Sequence, residues 1–439
     1  MGAKREKIGV GILGFGTVGT GVVKILLSNR EEIRRRLGVP LELVRIADLD
    51  VDRDRGVSVP SGVLTTSAEA LMDDPGVDIV VELMGGIHPA KDFILKALSK
   101  GKPVVTANKA LLAEHGEELW AAARDRNLDL GFEASVGGGI PILRSIREGL
   151  AANRFQSIFG IINGTANYIL TKMTEEGRTF DEALVEAQKS GYAEANPSLD
   201  VDGHDSAHKL CILVALAFGT PVNVKSVHTE GIAGISTMDI EFARELGYRI
   251  KLLAIAKAAN GEIESRVHPT MIPEDHLLST VKGVFNAIYV VGDAVGDTLF
   301  YGKGAGMMPT GSAVVGDVIE AARNLIRGAG GRVPPTGYHE DGRRALKIRP
   351  MEEIECAYYL RFMVSDTPGV LSQISGALGR NNISISSVLQ KTRHAEHSVP
   401  VVMMTHRAVE RNIRAALNEI NRLPEVSEQA CLVRVEGEE

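Results

Sequence analysis

The chain has 439 residues, of which 24% are charged and 44% are hydrophobic, and its formal net charge is −7. This balance is typical of a soluble globular protein with two or three domains, and it excludes a mostly disordered chain. Basic residues are scattered, so neither nucleic acid nor an anionic membrane is an expected partner. No apolar run is long enough to span a bilayer, and we expect a cytoplasmic protein. Three widely spaced cysteines are interpreted as packing residues: Cys211, Cys356 and Cys431.

The first 135 residues alternate short β-branched runs with segments of helical spacing, which predicts a doubly wound parallel sheet. The strand candidates are KIGVGIL, LELVRIA, VDIVVEL and KPVVTA. The first strand leads into GFGTVG, which contains Gly14, Gly16 and Gly19 and opens a helix. Because a glycine-rich turn between a strand and a helix lets backbone N–H groups approach a pyrophosphate, the motif predicts a Rossmann-like dinucleotide site.

The second strand candidate ends in ADLDVDRDR, and this segment bears on the choice of cofactor. Asp48 or Asp50 is suited to the adenosine ribose hydroxyls, which favours NAD. Arg53 or Arg55 is suited to a 2′-phosphate, which favours NADP. The residues alone leave both cofactors open.

Two further features follow the predicted nucleotide sheet. Lys109 follows KPVVTA after one intervening residue, at the sheet edge where ligands bind, although a solvated lysine at a helix start fits equally well. GFEASVGGGIPI predicts a sharp reversal and the exit from the nucleotide-binding domain. The pattern from about 140 to 305 predicts an α+β domain, and a helix predicted over 309–327 is expected to return onto the nucleotide sheet.

The stretch GYAEANPSLDVDGHDSAHKL concentrates charge at the start of an apolar helix. Asp200 or Asp202 is a candidate N-cap of that helix. HDSAH imitates the HExxH zinc motif, but no third ligand is evident. Asp205 and Lys209 are four residues apart on one helical face, which fits binding of a small zwitterion and delivery of a proton to an alkoxide formed by hydride transfer.

The last 85 residues follow a linker rich in glycine, proline and charge. Their pattern is βαββαβ, which predicts a ferredoxin-like fold, and we expect this part to form an independent unit. Pro368 is expected near the first position of its first helix.

Seven motifs occur in order along nearly the whole chain: GFGTVG, TANK, EASVGGGIPI, GIINGTANYIL, GYAEANPSLDVDGHDSAHKL, GKGAGMMPTGSAVVGD and DTPGVL. Together they resemble bacterial homoserine dehydrogenases with a C-terminal ACT domain. The resemblance implies reversible NAD(P)-dependent reduction of L-aspartate 4-semialdehyde to L-homoserine, a step toward threonine, methionine and isoleucine. It also implies a dinucleotide-binding domain at 1–139, completed by the helix at about 308–345, a substrate-binding and dimerisation domain at 140–307, and a regulatory ACT domain at 353–439.

The resemblance also assigns roles to residues by motif. Lys209 resembles the proton donor, Asp205 and Glu194 the substrate-binding carboxylates, and Lys109 a second essential lysine near the nicotinamide. The implied cofactor contacts are Gly14, Phe15, Gly16, Thr17, Val18, Gly19, Lys109 and Gly306. A monovalent cation, sodium or potassium, is implied at Glu133 and the backbone carbonyls of Val136, Gly138 and Ile140, and oxygen ligands on an irregular turn suit a hard cation.

Two departures from the family pattern are mild, namely Asn196 in place of Asp and Asp202 in place of Glu. The DTPGVL loop resembles an ACT effector site, which implies L-threonine as effector, with ACT pairing in a homodimer or homotetramer.

Two other functions compete with that of a homoserine dehydrogenase. A phosphorylating semialdehyde dehydrogenase needs a nucleophilic cysteine, whereas Cys211 stands in an apolar run. A non-catalytic amino-acid sensor does not explain why Lys109 and Lys209 are present together with the carboxylates.

Overall fold

A computed structural model describes residues 5–390 and 398–437. The strands are β1 (Ile8–Leu13), β2 (Leu41–Ala47), β3 (Leu64–Thr65), β4 (Ile79–Glu82), β5 (Val104–Thr106), β6 (Leu130–Gly131), β7 (Phe155–Ile161), β8 (His228–Thr229), β9 (Tyr248–Ala259), β10 (Glu262–Pro273), β11 (Phe285–Gly292), β12 (Gly296–Lys303), β13 (Lys347–Ile348), β14 (Glu355–Val364), β15 (Ile385–Gln390), β16 (Val399–Thr405), β17 (Ala408–Val409) and β18 (Cys431–Val435). The helices are α1 (Thr17–Ser28), α2 (Arg30–Leu37), α3 (Ala68–Asp73), α4 (Ala90–Ser99), α5 (Lys109–Arg124), α6 (Ile142–Arg144), α7 (Gly164–Glu176), α8 (Phe180–Lys189), α9 (Ser198–Val201), α10 (His204–Phe218), α11 (Thr237–Glu245), α12 (Met307–Arg327), α13 (Val370–Arg380) and α14 (Glu410–Ile420). Within the described ranges, none of these helices combines the length and the apolar character that a membrane crossing requires.

The chain divides into two compact units, and three segments contribute to each. Unit 1 comprises residues 1–158, 208–226 and 286–346, and unit 2 comprises residues 159–207, 227–285 and 347–439. The contacts thus group the segments differently from the three predicted domains, whose boundaries stay a prediction.

Unit 1 contains a parallel sheet with the strand order β3-β2-β1-β4-β5-β6. This is the strand order of the doubly wound dinucleotide-binding fold, so the predicted fold class is confirmed. Every residue of β1 and β4 is buried, as expected when helices cover both faces of a parallel sheet. The two-residue strand β3 was not predicted, because two residues carry no periodicity.

Helix α12 supplies unit 1 with part of its core from a distant place in the sequence. Val314, Val315 and Val318 are buried in the cluster that also contains Ile12 of β1 and Val22 of α1. Helix α12 and α1 approach closely, since a Cβ atom added at position 21 of α1 would lie 2.1 Å from the carbonyl oxygen of Met307. The nucleotide-binding sheet is therefore completed by residues about 300 positions after its first strand.

Unit 2 contains a sheet with the strand order β9-β10-β18-β14-β16-β15. Strands β9 and β10 pair antiparallel along twelve residues each. The four strands β18-β14-β16-β15 carry α13 and α14 against one buried apolar cluster, which confirms the predicted βαββαβ order.

One expectation about the last 85 residues is wrong. Pro368 precedes the helix, because α13 begins at Val370, with Gly369 as its N-cap. The helices and strands of this part share an apolar core of their own, but β18 also pairs in parallel with β10, with Thr270 opposite Arg434, and so continues the sheet. The glycine- and proline-rich linker gives no indication of such long-range pairing, and the independence of this part stays a prediction.

A network of charged groups connects β18 to the rest of unit 2. The fully buried guanidinium of Arg434 donates to both carboxylate oxygens of Glu230, at 2.8 and 2.9 Å, and to both of Glu410, at 2.9 and 2.6 Å. The hydroxyl of Tyr358 also donates to Glu410, at 3.0 Å. Burial disfavours the charged carboxylates, but hydrogen bonds from His228 and Arg434 hold the pKa of Glu230 well below its usual range, and Arg434 also lowers the pKa of Glu410.

Replacing Arg434 with Met removes the charge and keeps much of the side-chain volume. The carboxylates of Glu410 and Glu230 then lose the buried one of their two shared partners, and we expect the free energy of unfolding to fall by about 3 to 5 kcal/mol. Arg414→Met is the matched control, because Arg414 pairs with the same two carboxylates but is half exposed. We expect the control to cost less than about 1 kcal/mol. Urea denaturation followed by circular dichroism measures both, and equal losses would contradict the role given to burial.

Candidate active site

The glycine-rich turn after β1 has the shape that a dinucleotide requires. Gly14 has a φ of +96°, and a Cβ atom there would lie 2.7 Å from the carbonyl oxygen of Leu83. A Cβ atom at Gly19 would lie 2.3 Å from the carbonyl oxygen of Gly14, so α1 packs directly on the turn. A Cβ atom at Gly16 would meet nothing within 4 Å. Gly14 and Gly19 thus serve the turn itself, and open space for a ligand lies in front of Gly16.

Helix α1 begins at this turn without a side-chain cap. Its N-cap is Gly16, which has no side chain that could accept a hydrogen bond from the first turn of the helix. The predicted contacts Thr17 and Val18 are the first two helical residues. Uncapped N–H groups at the positive end of the helix dipole suit a pyrophosphate, so these residues fit an NAD(P) cofactor.

Asp48 and Arg55 hold the turn from the end of β2. One carboxylate oxygen of Asp48 accepts from the N–H of Phe15 at 2.5 Å, and the other accepts from Arg55 at 3.3 Å. Arg55 also donates to the carbonyl oxygen of Phe15, at 2.5 Å, and its guanidinium lies 4.7 Å from the centre of the Phe15 ring. Asp48 and Arg55 are therefore engaged within the turn, whereas Asp50, which accepts from the N–H of Arg53 at 3.2 Å, and the side chain of Arg53 are exposed.

A buried polar chain positions the start of α5, where Lys109 lies. The carboxylate of Glu82, at the end of β4, accepts from the hydroxyl of Thr106 at 2.6 Å. The Thr106 hydroxyl in turn accepts from the N–H of Asn108, whose side chain caps α5 by accepting from Leu111. Burial raises the pKa of Glu82, although hydrogen bonds from Thr106 and two backbone N–H groups oppose the rise. Sequence reasoning missed Glu82 and Asn108; their positions at strand and helix ends were the available signal.

The segment from Glu133 to Ile140 forms one buried turn, which contains all four residues predicted to bind a monovalent cation. The carboxylate of Glu133 accepts from the N–H groups of Leu143 and Arg144, at 2.8 and 2.7 Å. Burial and the nearby carboxylate of Asp317 raise the pKa of Glu133 to about 7. A Cβ atom at Gly138, where φ is +55°, would lie 2.4 Å from the carbonyl oxygen of Gly304, so only glycine allows this close approach.

This turn has the type of donor that a hard cation prefers, since backbone carbonyls and one carboxylate occur in the same short segment. Asp317 accepts from the N–H of Glu133 at 2.8 Å and was not predicted from the sequence. Across residues 5–390 and 398–437, no three or more His, Cys, Asp and Glu side chains are arranged to hold a metal ion. The cation proposed for this turn would therefore depend on backbone oxygens.

In unit 2, one amide group joins two carboxylates of the charged stretch. Asn163 donates from its side-chain nitrogen to Asp200 at 2.7 Å and to Asp205 at 2.8 Å. Its side-chain oxygen accepts from the N–H of Ala166 and caps α7. Asn163 is 5% exposed and uses both of its donors on the carboxylates. It was not predicted as a site residue, although it lies in the quoted motif GIINGTANYIL.

The expected capping role of Asp200 and Asp202 is wrong. Asp200 lies within α9, and Asp202 follows the last residue of that helix. Gly203 separates them from α10, which begins at His204. The glycine provides a φ of +86° that an aspartate adopts with strain, and the chain turns there between the two helices.

The other predicted residues differ in exposure. Asp205 and Lys209 lie in α10 and are 4% and 8% exposed. Lys109 is partly buried, and Gly306 is the N-cap of α12. The side chain of Glu194 is exposed, and its carbonyl oxygen accepts from Gln188. The structure thus connects Asp205 with Asp200 and does not place the Glu194 side chain in a buried cluster.

The cysteines have the character expected of packing residues. Burial raises the pKa of Cys211 and of Cys431 to about 12, and it also raises the pKa of Cys356. All three are free thiols. A protonated, buried thiol is a poor nucleophile, which argues against a dehydrogenase that forms a thioester.

Family models cover most of the chain. The model described as "Homoserine dehydrogenase, NAD binding domain" matches residues 14–133, "Homoserine dehydrogenase" matches 141–319, and "ACT domain" matches 358–425. The homoserine dehydrogenase of Neisseria gonorrhoeae is 46% identical over 98% of this chain and 99% of its own length. That of Pseudomonas aeruginosa is 45% identical over 98% and 99%.

Solved structures agree with these matches. The crystal structure of a homoserine dehydrogenase from Thiobacillus denitrificans has a TM-score of 0.92 and 46% identity, covering 98% of both chains. A hyperthermophilic archaeal homoserine dehydrogenase in complex with NADPH has a TM-score of 0.60 and 28% identity, covering 72% of this chain and 97% of the other. The chain belongs to the homoserine dehydrogenase family, whose members are NAD(P)-dependent oxidoreductases.

Proposed function

We propose that this chain catalyses the reversible reduction of L-aspartate 4-semialdehyde to L-homoserine, a step toward threonine, methionine and isoleucine. The observation that carries the proposal is the carboxylate pair of Asp200 in α9, which is partly buried, and Asp205 in α10, which is buried; the Asn163 amide holds the two together. Both the aldehyde and the alcohol carry an α-ammonium group, and two neighbouring carboxylates with little exposure are suited to that cation. Asp205 and Glu194 are the proposed ligands of the ammonium.

The reaction adds one hydride and one proton to the aldehyde. NAD(P)H held at the glycine-rich turn would supply the hydride that adds to the carbonyl carbon. The carbonyl oxygen then carries the negative charge, and the ammonium of Lys209 donates the proton that converts the alkoxide to the hydroxyl. Water has little access to Lys209, which favours transfer from the side chain. Lys109, positioned by Glu82, Thr106 and Asn108, is the second cation proposed near the reacting groups.

Three finer features belong to the same proposal. Both cofactors are accepted, because the exposed side chains of Asp50 and Arg53 provide the two recognition chemistries in one loop, and the archaeal relative binds NADPH. A sodium or potassium ion binds the turn of Glu133, Val136, Gly138 and Ile140. The enzyme acts in the cytoplasm as a homodimer or homotetramer, and the edge strand β15 offers a surface for ACT pairing.

L-Threonine is the proposed feedback effector, bound between the end of β14 and the start of α13. Gly369 leaves the first turn of α13 without a side-chain cap, which suits a carboxylate ligand.

Contacts within unit 2 provide a route from the ACT domain to the charged residues around Asp205. Arg434 holds Glu230, and two residues later the N–H of Ile232 donates to the carbonyl oxygen of Val201 at 2.9 Å. That carbonyl lies four residues before Asp205.

Lys209→Ala and Lys209→Arg test the proton donor. We expect kcat to fall about 10²- to 10⁴-fold in both, since arginine keeps the charge but does not release a proton at neutral pH. The dissociation constant of the cofactor should stay within about twofold of the wild-type value. Steady-state kinetics of homoserine oxidation and fluorescence titration of NADPH measure the two quantities. A near-normal kcat with a raised KM would contradict the assigned role.

Asn163→Ser tests the amide bridge, because serine keeps an N-cap acceptor for α7 but loses both donors to the carboxylates. We expect the KM for homoserine to rise about 10- to 100-fold, with little change in the KM for the cofactor. Asn223→Ser is the control, since the Asn223 side chain also accepts from a backbone N–H but is exposed. Equal KM values for Asn163→Ser and wild type would show that the bridge does not position the substrate ligands.

Gly369→Ala tests the effector site. Truncation after Arg349 would also remove Arg434 and Glu436 from unit 2, so a point change is a cleaner experiment. Gly369 has a φ of +98°, and alanine there adds about 1 to 3 kcal/mol of backbone strain that reshapes the loop. We expect threonine inhibition to require at least about tenfold more effector, with basal kcat unchanged.

Gly379→Ala, near the other end of α13, is the control, because a Cβ atom there meets nothing within 4 Å and its φ is not positive. Assays with millimolar threonine compare the three proteins. Unchanged sensitivity of Gly369→Ala would place the effector elsewhere, and a wild-type enzyme that ignores threonine would refute feedback by this amino acid.

A further inference from the structure

Unit 2 contains a cavity of about 580 Å³ that none of the proposed roles uses. It is bordered by the end of α7, the end of α11, the start of β9 and the segment after β10. A cavity of this size suits a small molecule. Its charged lining consists of four cations and two carboxylates: Arg244, Arg249, Lys251, Lys282, Glu175 and Glu274.

The two carboxylates compensate only two of the four cations. Glu274 pairs with Arg249, and Glu175 pairs with Lys282. Within the described part of the chain, Arg244 and Lys251 have no carboxylate at salt-bridge distance. Two positive charges at the cavity are therefore left without a counter-charge.

Lys251 is the unusual member of this group, because it is only 5% exposed. Its ammonium donates to two neutral acceptors, the side-chain oxygen of Asn167 at 3.2 Å and the carbonyl oxygen of Val281 at 2.5 Å. An ammonium has three donors, so one remains. Burial lowers the pKa of Lys251 to about 8, and repulsion from Lys282 and Arg249 adds to the effect while Glu175 opposes it. Holding cations together in this way costs stability unless an anion joins them.

We propose that this cavity binds a small dianion, either a phosphate or a dicarboxylate, through Lys251 and Arg244. Two unpaired cations match two negative charges. Guanidinium and ammonium groups are the usual donors to both kinds of ligand. The proposal does not depend on the function proposed above, since none of its residues binds substrate or cofactor there.

Isothermal titration calorimetry of the full-length protein tests the site, with inorganic phosphate in one arm and malonate in the other. Ionic strength is held constant, and saturating NADP⁺ covers the glycine-rich turn. We expect saturable binding that is weakened at least about tenfold in Lys251→Met and in Arg244→Gln. Arg244 is exposed, so its replacement tests the site even if Lys251→Met fails to fold. Lys225→Met, at an exposed lysine of unit 1, should bind as wild type does.

The outcomes distinguish the chemical classes of ligand that the cavity could bind. Binding of phosphate alone identifies a phosphate site, binding of malonate alone identifies a carboxylate site, and binding of both identifies a general dianion site, provided that the two variants weaken it. Absence of saturable binding in the wild type with either probe would overturn the proposal. Binding that both Lys251→Met and Arg244→Gln retain at wild-type affinity would overturn it as well.

Discussion

The contact of Arg434 with Glu230 and Glu410 is the constraint on which the organisation of unit 2 depends. A buried guanidinium that serves two carboxylates tolerates little displacement, because each lost hydrogen bond leaves a charge inside the protein. Arg434 lies on β18, opposite Thr270 of β10. A slip of β18 by one residue would turn Arg434 to the other face of the sheet. The network therefore fixes the register at which the C-terminal strands continue the sheet of β9 and β10.

The fold was predictable where short-range patterns determine it. Short β-branched runs and helical spacing located most strands of the parallel sheet and several helices, and β2 coincides with the predicted segment LELVRIA. Pairing between distant segments was not predictable from these patterns. The linker before residue 353 indicated a boundary, yet β18 adds directly to β10, because hydrogen bonding between strands leaves no mark on local composition.

The residues of the candidate site also divide into those that the local sequence predicts and those that it does not. Gly14, Gly16 and Gly19 were predicted from their spacing, because the turn itself requires Gly14 and Gly19 and the open space for a ligand lies in front of Gly16. The polar residues that position other groups were missed: Glu82, Asn108, Asn163 and Asp317. Each makes contacts across 3 to 184 residues of sequence, and each resembles an ordinary capping or strand-end residue until its partners are known. Asp200 illustrates the reverse error, since it was interpreted as a cap and is a partner of Asn163.

Asn163 is followed by Gly164, and asparagine before glycine is the pair most prone to spontaneous loss of the side-chain amide. That loss would produce an aspartate and so bring a third carboxylate next to Asp200 and Asp205. The reaction requires the amide to swing toward the following backbone nitrogen. Here the amide is held by Ala166 on one side and by two carboxylates on the other. The hydrogen bonds that arrange the carboxylates thus also hold the amide away from the geometry that its loss requires.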